Sequence, residues 1–268
     1  MELPVCETLL LDLNDGVLHV TLNRPEKRNA MNDKLVQEMR DVFAAIKDDR
    51  SVRAVVMRGA EGNFCSGGDI SGMNTRSAPG ADAKSVMWEF NRSFGRMITE
   101  VNAAPQVVIC CLEGAVLGGG FGLACISDVA IADKGAKFGM PETGLGIIPA
   151  QIAPFVVKRI GLTQARKLAL LGDWVNGEQA EKLGLVHAVT DDVEAMQAAL
   201  DRVLAGVRRT APGANALTKK LLLSVGELDH ETMLDQAADW FAEALGSAEG
   251  AEGTKAFIEK RKPNWAEG

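Results

Sequence analysis

The sequence predicts an α/β fold that is followed by a helical carboxyl-terminal region. Short apolar segments alternate with segments of helical periodicity through the first half of the chain, and helical periodicity dominates after about residue 150. The turn sequence Asn14-Asp15-Gly16 separates the first two apolar segments and is typical of a β-hairpin. With 268 residues, the chain is long enough for one large domain, or for one domain with an appended helical piece.

The first half of the sequence predicts strands and long helices in alternation. The predicted strands are residues 8–13, 17–22, 53–58, 107–112 and 128–132. One helix follows Asn32, whose side chain suits an N-cap, and runs to about residue 48; the other spans residues 84–102. Because strands alternate with helices, we expect parallel pairing among the later strands.

The carboxyl-terminal part of the sequence predicts a helical region with an apolar stripe. The predicted helices are residues 192–206, 213–226, 230–246 and 251–261. A turn sequence at residues 210–213 marks the boundary that we expect between a core of residues 1–210 and a helical region of residues 211–268. The stripe includes Trp240, Phe241 and Phe257, and it fits equally well against the chain's own body or against another subunit.

The composition is that of an ordinary globular protein, with 47% apolar and 24% charged residues. A net charge of −7 argues against non-specific binding to nucleic acid or to an anionic membrane. No apolar run approaches the length of a membrane-spanning helix, and the amino terminus is too acidic for a secretory signal. The five cysteines form no CxxC motif. We therefore expect a soluble, cytoplasmic protein with reduced thiols.

Two glycine-rich segments each follow a predicted strand, and both are candidates for an oxyanion site. One is residues 64–69, FCSGGD, and the other is the triple glycine Gly118-Gly119-Gly120, which opens a short segment of helical character. Backbone at a helix N-terminus presents free N–H groups and the positive end of a dipole, which suits a phosphate or a developing oxyanion. The structural alternative is a pair of tight turns between close-packed elements.

Glu142 follows the triple glycine by about twenty residues and is the candidate for proton transfer. This spacing also imitates a dinucleotide-binding fingerprint, but Leu123 stands where the third glycine is needed, so a nicotinamide cofactor is not expected. No histidines have metal-ligand spacing and no Gly-x-Ser-x-Gly motif is present, so neither a metal site nor a serine hydrolase is expected. Cys65 suits a buried thiol better than a nucleophile, and Asp69 suits a helix cap.

Five motifs occur in order over nearly the whole chain: LNRPEKRNAMN, GNFCSGGDISGM, EGAVLGGGFGLACISDVAIA, AKFGMPETGLGIIP and AFIEKRKPNW. Together they resemble the enoyl-CoA hydratase/isomerase (crotonase) superfamily. The resemblance implies a spiral of repeated β-β-α units with a helical carboxyl-terminal region for trimerisation, assembled as a trimer or a dimer of trimers. It also implies a coenzyme A thioester as substrate, bound by the core, and no separate cofactor.

The resemblance assigns roles to individual residues of this chain. It implies an oxyanion hole made by the N–H groups of Gly68 and Gly119. The turn that contains Lys27, Arg28 and Ala30 is implied to hold the adenine and phosphates of coenzyme A, with a contribution from Lys260 of the same or an adjacent subunit. The remaining residues predicted to contact the substrate are Ser66, Asp69, Ile70, Gly118 and Gln151.

One position departs from the usual hydratase pattern. Typical hydratases carry a further glutamate in the helix after the triple glycine, and here that position is Gly122. A lone glutamate resembles the Δ3,Δ2-enoyl-CoA isomerases, in which one carboxylate moves a proton between C2 and C4. The segment GIIPAQIAPFVVKRIGLTQARKLALLG instead resembles bacterial hydratases of branched glutaconyl-CoA thioesters, from leucine breakdown or from acyclic terpene breakdown (isohexenylglutaconyl-CoA). Several of those also lack the first glutamate.

The sequence therefore predicts a hydratase for a branched or carboxylated 2-enoyl-CoA, with an isomerase as the second reading and a non-catalytic CoA-binding relative as the third. Glu142 is expected to position water and to exchange the C2 proton, assisted by Gln151 or by the substrate's own second carboxylate. The alternative for Gln151 is a hydrogen bond to local backbone. Burial near Met140 and Leu145 is expected to raise the pKa of Glu142 toward neutrality.

Overall fold

The computed structural model describes residues 2–69 and 83–266. The strands of these ranges are β1 (Leu9–Asn14), β2 (Val17–Leu22), β3 (Ala54–Gly59), β4 (Val107–Leu112), β5 (Ala115–Leu117), β6 (Val129–Asp133), β7 (Lys137–Gly139), β8 (Trp174–Val175) and β9 (Ala188–Thr190). The helices are α1 (Asp33–Ile46), α2 (Ala83–Asn102), α3 (Gly119–Ile126), α4 (Ala153–Leu171), α5 (Gly177–Lys182), α6 (Val193–Arg208), α7 (Pro212–Ser224), α8 (His230–Gly246) and α9 (Ala248–Ile258). Short 3-10 helices include Pro25–Lys27 and Pro141–Leu145.

The main sheet has six strands in the order β1-β2-β3-β4-β6-β9. Strands β1 and β2 form the predicted antiparallel hairpin, and its turn residues Asp15 and Gly16 both adopt left-handed backbone, with φ of 49° and 69°. All other neighbours in this sheet pair in parallel, which confirms the pairing expected from the alternation of strands and helices. At the start of α1, the Asn32 side chain accepts a hydrogen bond from Leu35 N at 2.9 Å, so the predicted N-cap is also confirmed.

A second sheet of strands β5, β7 and β8 lies beside the first and reaches the glycine-rich loops. Single parallel bridges join Cys65 to Val116 of β5 and Met31 to Gly68, so this sheet continues into the first glycine loop. The chain repeatedly passes from the main sheet to this small sheet and then into a helix, for example through β4, β5 and α3. The predicted repeat of β-β-α units is therefore confirmed. The sequence did not predict β5, β7 or β8, because two or three residues are too few to show a period of two.

The main core lies between the two sheets and helices α1 to α4, and a smaller apolar cluster lies on the opposite face of the main sheet. Helix α6 covers that second face and packs Leu200 and Met196 against Ile109 and Ile131. Full burial of side chains of this size stabilises a fold by about 1.5–3 kcal/mol each. The glycine loops therefore sit on a rigid two-layer frame.

Helix α7 begins the carboxyl-terminal helical region at Pro212, close to the expected boundary; that residues 211–268 form a separate unit stays a prediction. The half of the apolar stripe that includes Phe241 and Phe257 does not pack on the chain's own body, since these side chains are 69% and 86% exposed. Lys219 fixes α7 to the core: its Nζ donates to the carbonyl oxygens of Ala104 and Gln106 at 2.8 and 2.7 Å. Among the described helices, none has both the length and the apolarity needed to cross a membrane.

Candidate active site

A pocket lies where the two glycine-rich loops meet the segment that leads into helix α4, with helix α2 forming the opposite wall. Its described lining residues are Met31, Val36, Ser66, Gly67, Gly68, Phe90, Asn91, Phe94, Gly118, Gly119, Pro141, Glu142, Ile147, Ile148, Pro149, Ala150, Gln151 and Ile152. Six residues of the predicted site are therefore brought together: Ser66, Gly68, Gly118, Gly119, Glu142 and Gln151.

Each of the two glycine loops that line this pocket has a backbone N–H group that forms no bond in the neighbouring ladder or helix. At the first loop, Met31 N donates to Gly67 O and Asp69 N donates to Met31 O, both at 2.8 Å, so the N–H of Gly68 takes no part in this ladder. At the second loop, Gly119 is the first residue of α3, and the first N–H groups of a helix have no acceptor within the helix. N–H groups without an acceptor in the fold suit an oxygen that gains negative charge.

Gly118 brings the second loop close to both the first loop and the candidate acid–base residue. Its backbone has φ of 48°, a left-handed conformation that glycine adopts without strain. A Cβ on Gly118 would lie 2.9 Å from Glu142 Oε1 and 3.5 Å from the Cα of Gly67. The absence of a side chain at this position is therefore what allows the carboxylate to lie against the loop.

Glu142 lies in the 3-10 helix Pro141–Leu145, and its carboxyl group is held in a desolvated position. Its Oε2 is buried, and no hydrogen-bond donor in the described ranges contacts it. Burial raises the pKa of Glu142, and a hydrogen bond from its own backbone opposes this weakly. The direction is the expected one, although Leu145 is 57% exposed and only Met140 is buried. Glu142 is the only carboxylate among the described lining residues.

The position of the missing glutamate is closed by apolar side chains. A Cβ on Gly122 would lie 2.4 Å from Ile152 Cγ2 and 3.0 Å from Ile98 Cδ1, and both isoleucines are buried. Close-packed interiors do not accept an added side chain without displacement of their neighbours. A carboxylate at position 122 is therefore incompatible with this packing, and Glu142 has no glutamate neighbour at that position.

Gln151 lies at the wall formed with helix α2, where its amide is fixed by two side chains. Its Nε2 donates to Asn91 Oδ1 at 2.7 Å, and its Oε1 accepts from Arg92 at 3.4 Å. The expectation of a hydrogen bond to local backbone is thus wrong for Gln151, because α2 approaches closely enough to supply side-chain partners.

The turn expected to hold the nucleotide part of coenzyme A adjoins the first glycine loop but does not line the pocket. Ser66 joins the two: its N donates to Arg28 O and its Oγ to Lys27 O, both at 3.0 Å. The side chains of Lys27 and Arg28 are exposed, whereas Ala30 is buried and its carbonyl accepts from Arg24. The turn is therefore held in place by its backbone, with two cationic side chains left facing outward.

Two further residues that were predicted to contact the substrate, Asp69 and Lys260, lie apart from the pocket. Asp69 forms an ion pair with Arg24 at 2.8 Å, and both side chains are largely buried. Lys260 is exposed, follows the end of α9 and has left-handed backbone with φ of 55°. Ile70 lies outside the described residues, as does most of the segment 73–88 that was expected to shape the acyl pocket.

Helix α2 supplies lining residues that the sequence did not identify, namely Phe90, Asn91 and Phe94. The spacing of Phe90 and Phe94 is that of one helical face, which was the available signal, but it does not distinguish a core from a pocket. Elsewhere, burial raises the pKa of the Cys65 thiol to about 12, which does not suit a nucleophile. In the described ranges no group of histidine, cysteine and carboxylate side chains is arranged to hold a metal ion.

The sequence of the chain matches the family model for enoyl-CoA hydratase/isomerase over residues 12–268. The chain belongs to the enoyl-CoA hydratase/isomerase family. A match over this length confirms the resemblance carried by the five motifs and the crotonase fold. The family acts on acyl-CoA substrates, and the pocket combines two glycine loops with an apolar wall.

Similar proteins within this family catalyse more than one reaction. The chain is 57% identical to the solved structure of AtuE from Pseudomonas aeruginosa, with a TM-score of 0.93 over 97% of this chain and 100% of that one. It is 31% identical to the 1,2-epoxyphenylacetyl-CoA isomerase of Escherichia coli, covering 97% of this chain and 98% of the relative. It is 32% identical to the short-chain-enoyl-CoA hydratase of Clostridium acetobutylicum, covering 95% of each. An isomerase and a hydratase are thus similar to this chain to nearly the same degree.

Proposed function

We propose that this protein is a hydratase that adds water across the double bond of a branched or carboxylated 2-enoyl-CoA. The observation that carries the proposal is the position of the Glu142 carboxyl group, which lies against Gly118 in the pocket lined by Gly68 and Gly119. One of its oxygens is buried and is contacted by no hydrogen-bond donor among the described residues. Coenzyme A enters as part of the substrate, and no separate cofactor is needed.

In the first step, the Glu142 carboxylate accepts a proton from water as the water oxygen bonds to C3 of the enoyl group. The electron pair of the C2–C3 double bond moves into the thioester, whose oxygen becomes an enolate. The N–H groups of Gly68 and Gly119 stabilise this charge, and a single donor of this kind is typically worth about 10²–10³ in rate. The site is pre-organised because both N–H groups belong to backbone fixed by the sheets and by α3.

In the second step, the protonated Glu142 returns its proton to C2, and the enolate collapses to the 3-hydroxyacyl-CoA thioester. One carboxyl group thus removes a proton and supplies one, so the two transfers balance. A raised pKa suits this cycle, because a carboxyl group that both accepts and donates a proton works best when its pKa is near the working pH. The Gln151 amide, fixed by Asn91 and Arg92, is proposed to orient the water.

The isomerase remains the second candidate, and the contact between Gly122 and Ile152 favours it. In that reaction Glu142 removes a proton from C2 of a 3-enoyl-CoA and returns it to C4, with the same enolate bound by Gly68 and Gly119. No water is activated, so a lone carboxylate is sufficient. We prefer hydration to isomerisation because the segment around Gln151 resembles glutaconyl-CoA hydratases.

We also propose the type of acyl group, the place where coenzyme A binds and the assembly of subunits. The glutaconyl type of acyl group is proposed from the segment around Gln151, and the nucleotide part of coenzyme A is proposed to bind beside Lys27 and Arg28. The exposed apolar side chains of the helical region, such as Phe257 at 86%, support assembly into a trimer or a dimer of trimers, in which Lys260 reaches a coenzyme A.

The purified protein tests the proposal when a 2-enoyl-CoA and a 3-enoyl-CoA are each supplied in heavy-oxygen water. The hydratase incorporates heavy oxygen at C3 of the 2-enoyl substrate. Movement of the double bond without oxygen incorporation makes the protein an isomerase instead. Binding of both thioesters with neither reaction assigns it to the non-catalytic relatives and refutes both enzymatic readings.

A further inference from the structure

The turn of residues 24–31 is held from inside the fold by one side chain, that of Asn29, which is fully buried. Its Oδ1 accepts a hydrogen bond from Arg24 N at 2.9 Å, and its Nδ2 donates to Ala60 O at 3.0 Å and to Asn63 O at 2.6 Å. The amide therefore joins the turn to the segment that leads directly into the first glycine loop.

The backbone at Asn29 explains why asparagine suits this position. Arg28 and Asn29 both have left-handed backbone, with φ of 48° and 57°. Asparagine adopts this conformation more readily than most residues that carry a side chain. Glycine adopts it as well but has no amide to form the three hydrogen bonds. Asparagine thus meets the conformational requirement and the hydrogen-bonding requirement together.

Met31, two residues after Asn29, holds the first glycine loop through its backbone. Its N donates to Gly67 O and its O accepts from Asp69 N, both at 2.8 Å. The carbonyl of Gly67 and the N–H of Gly68 belong to one planar peptide group, so a bond that fixes the first also fixes the direction of the second. The position of Met31 therefore determines where the Gly68 N–H group points.

A second pair of bonds joins the turn to the same loop on the other side of Asn29. Ser66 N donates to Arg28 O and Ser66 Oγ donates to Lys27 O, both at 3.0 Å. Asn29 lies between these bonds and those of Met31, and it is not among the described residues that line the pocket. Its amide acts on the loop through the backbone of the turn, without contact with the reacting atoms.

We propose that Asn29 is a positioning residue for the oxyanion site, because it fixes the turn from which Met31 sets the direction of the Gly68 N–H group. This role rests on the proposed function, which assigns that N–H group to the enolate oxygen. Without the Asn29 amide, the turn loses its side-chain bonds to Ala60 and Asn63 and is expected to shift against the loop. A shift of about 1 Å in a catalytic group can cost about 10² in rate.

The carbonyl stretching frequency of a bound thioester tests this role without any turnover. The probe is 3-methylbutanoyl-CoA with heavy carbon at the thioester carbonyl, and difference infrared spectroscopy compares its bound and free states. N–H donors that polarise the carbonyl lower its frequency in the wild type. Asn29→Gly keeps the left-handed backbone and removes the amide. It is expected to abolish about half or more of this lowering and to decrease the rate of hydration about tenfold or more.

Gln106→Ala is the matched control, since Gln106 is also a buried amide that donates to two backbone carbonyl oxygens. Its partners are Ile46 O at 2.7 Å and Asp49 O at 3.4 Å, and neither residue belongs to a glycine loop. Loss of this amide is expected to reduce stability and to leave the carbonyl frequency and the rate unchanged.

A lowering that survives in Asn29→Gly, or that is lost equally in Gln106→Ala, overturns the inference. If Asn29→Gly does not fold, Asn29→Ser makes the same comparison, because its single O–H donor cannot serve both carbonyl oxygens. Failure of both variants to fold would assign Asn29 to stability alone and would also overturn the inference. A wild type that shows no lowering would instead refute the oxyanion site of the proposed function and, with it, the basis for this role.

Discussion

Ile152 fills the space that a side chain at position 122 would need, since a Cβ on Gly122 would lie 2.4 Å from the Cγ2 atom of Ile152. Gly122 lies in α3, one turn after the triple glycine, and Ile152 directly precedes α4. The second carboxylate of typical hydratases is thus replaced by an apolar contact between two helices. Glu142 is therefore the one carboxylate among the described residues of the pocket, and it alone can transfer a proton in the way a carboxylate does.

Gly122→Ala is expected to destabilise the protein by about 1–3 kcal/mol, because the added methyl group overpacks a buried contact. Gly206→Ala is the matched control, since a Cβ at this helical glycine meets only the end of Arg209 at 3.8 Å. The control is expected to gain about 0.5–1 kcal/mol from helix propensity. Denaturant unfolding measures both, and a Gly122→Ala protein as stable as Gly206→Ala would show that position 122 has room.

Ile152→Ala is expected to relieve the strain of Gly122→Ala. The two residues are in contact, so the double variant is expected to be less destabilised than the sum of the single changes. The coupling is obtained from the unfolding free energies of the four proteins. Additive effects would mean that the two side chains do not compete for the same space.

The sequence predicted the elements that are long enough to show their hydrophobic period. Helix α2 and strand β4 extend over enough residues to reveal their pattern, and the turn at Asp15 and Gly16 has its own residue chemistry. The second sheet was missed because its strands have two or three residues and depend on the loops beside them. Local periodicity therefore predicts elements but not the sheet that positions the site.

The same distinction applies to the candidate site, where some residues stand in local motifs and others are brought together only by the fold. Gly68, Gly119 and Glu142 stand in motifs that can be read along the chain, whereas the role of helix α2 depends on contacts across the fold. Gln151 lies 60 positions from Asn91, and nothing in the local sequence pairs them. The reason for glycine at position 122 was equally out of reach, because it lies in the packing of Ile152.

Glu142→Gln is expected to lower kcat by about 10²–10⁴ while it leaves acyl-CoA affinity nearly unchanged. The amide keeps the shape of the side chain and cannot transfer the proton. Steady-state rates and calorimetric titration with a saturated acyl-CoA provide the two readouts. Glu181→Gln, at an exposed carboxylate of α5, serves as the control. A variant that retains its rate would remove Glu142 from the mechanism.

The rate is expected to fall at low pH with a midpoint above the usual glutamate range. Burial raises the pKa of Glu142, and the carboxylate is the form that accepts a proton from water, so activity is lost as pH decreases through the raised pKa. The effect of the raised Glu142 pKa on the free energy of unfolding has the opposite dependence on pH. Its stabilising contribution is present below the pKa that Glu142 has in the unfolded chain and is lost as pH rises through the pKa of the folded protein. A kcat/KM profile that stays flat down to the ordinary pKa of glutamate would contradict this.

Lys219→Met is expected to destabilise the protein by about 3–5 kcal/mol at neutral pH. Burial lowers the pKa of Lys219, and the ion pair with Asp128 at 2.5 Å opposes this lowering. Asp128 therefore stabilises the charged form of the Lys219 side chain. Removal of Lys219 leaves Asp128 without its cation and two carbonyl oxygens without this donor. Lys134→Met, in an exposed pair with Asp191, is the control and is expected to have little effect. Equal unfolding free energies for the two variants would contradict an anchoring role for Lys219.

The most direct test of a single-carboxylate hydratase follows both transferred atoms in wild type and Glu142→Gln. A 2-enoyl-CoA is supplied in water labelled with heavy oxygen and deuterium, and the product is analysed by mass spectrometry. Wild type is predicted to introduce one heavy oxygen at C3 and one deuterium at C2, and Glu142→Gln is predicted to lose both together. Oxygen incorporation that survives in Glu142→Gln would contradict the central claim, because another group would then activate the water.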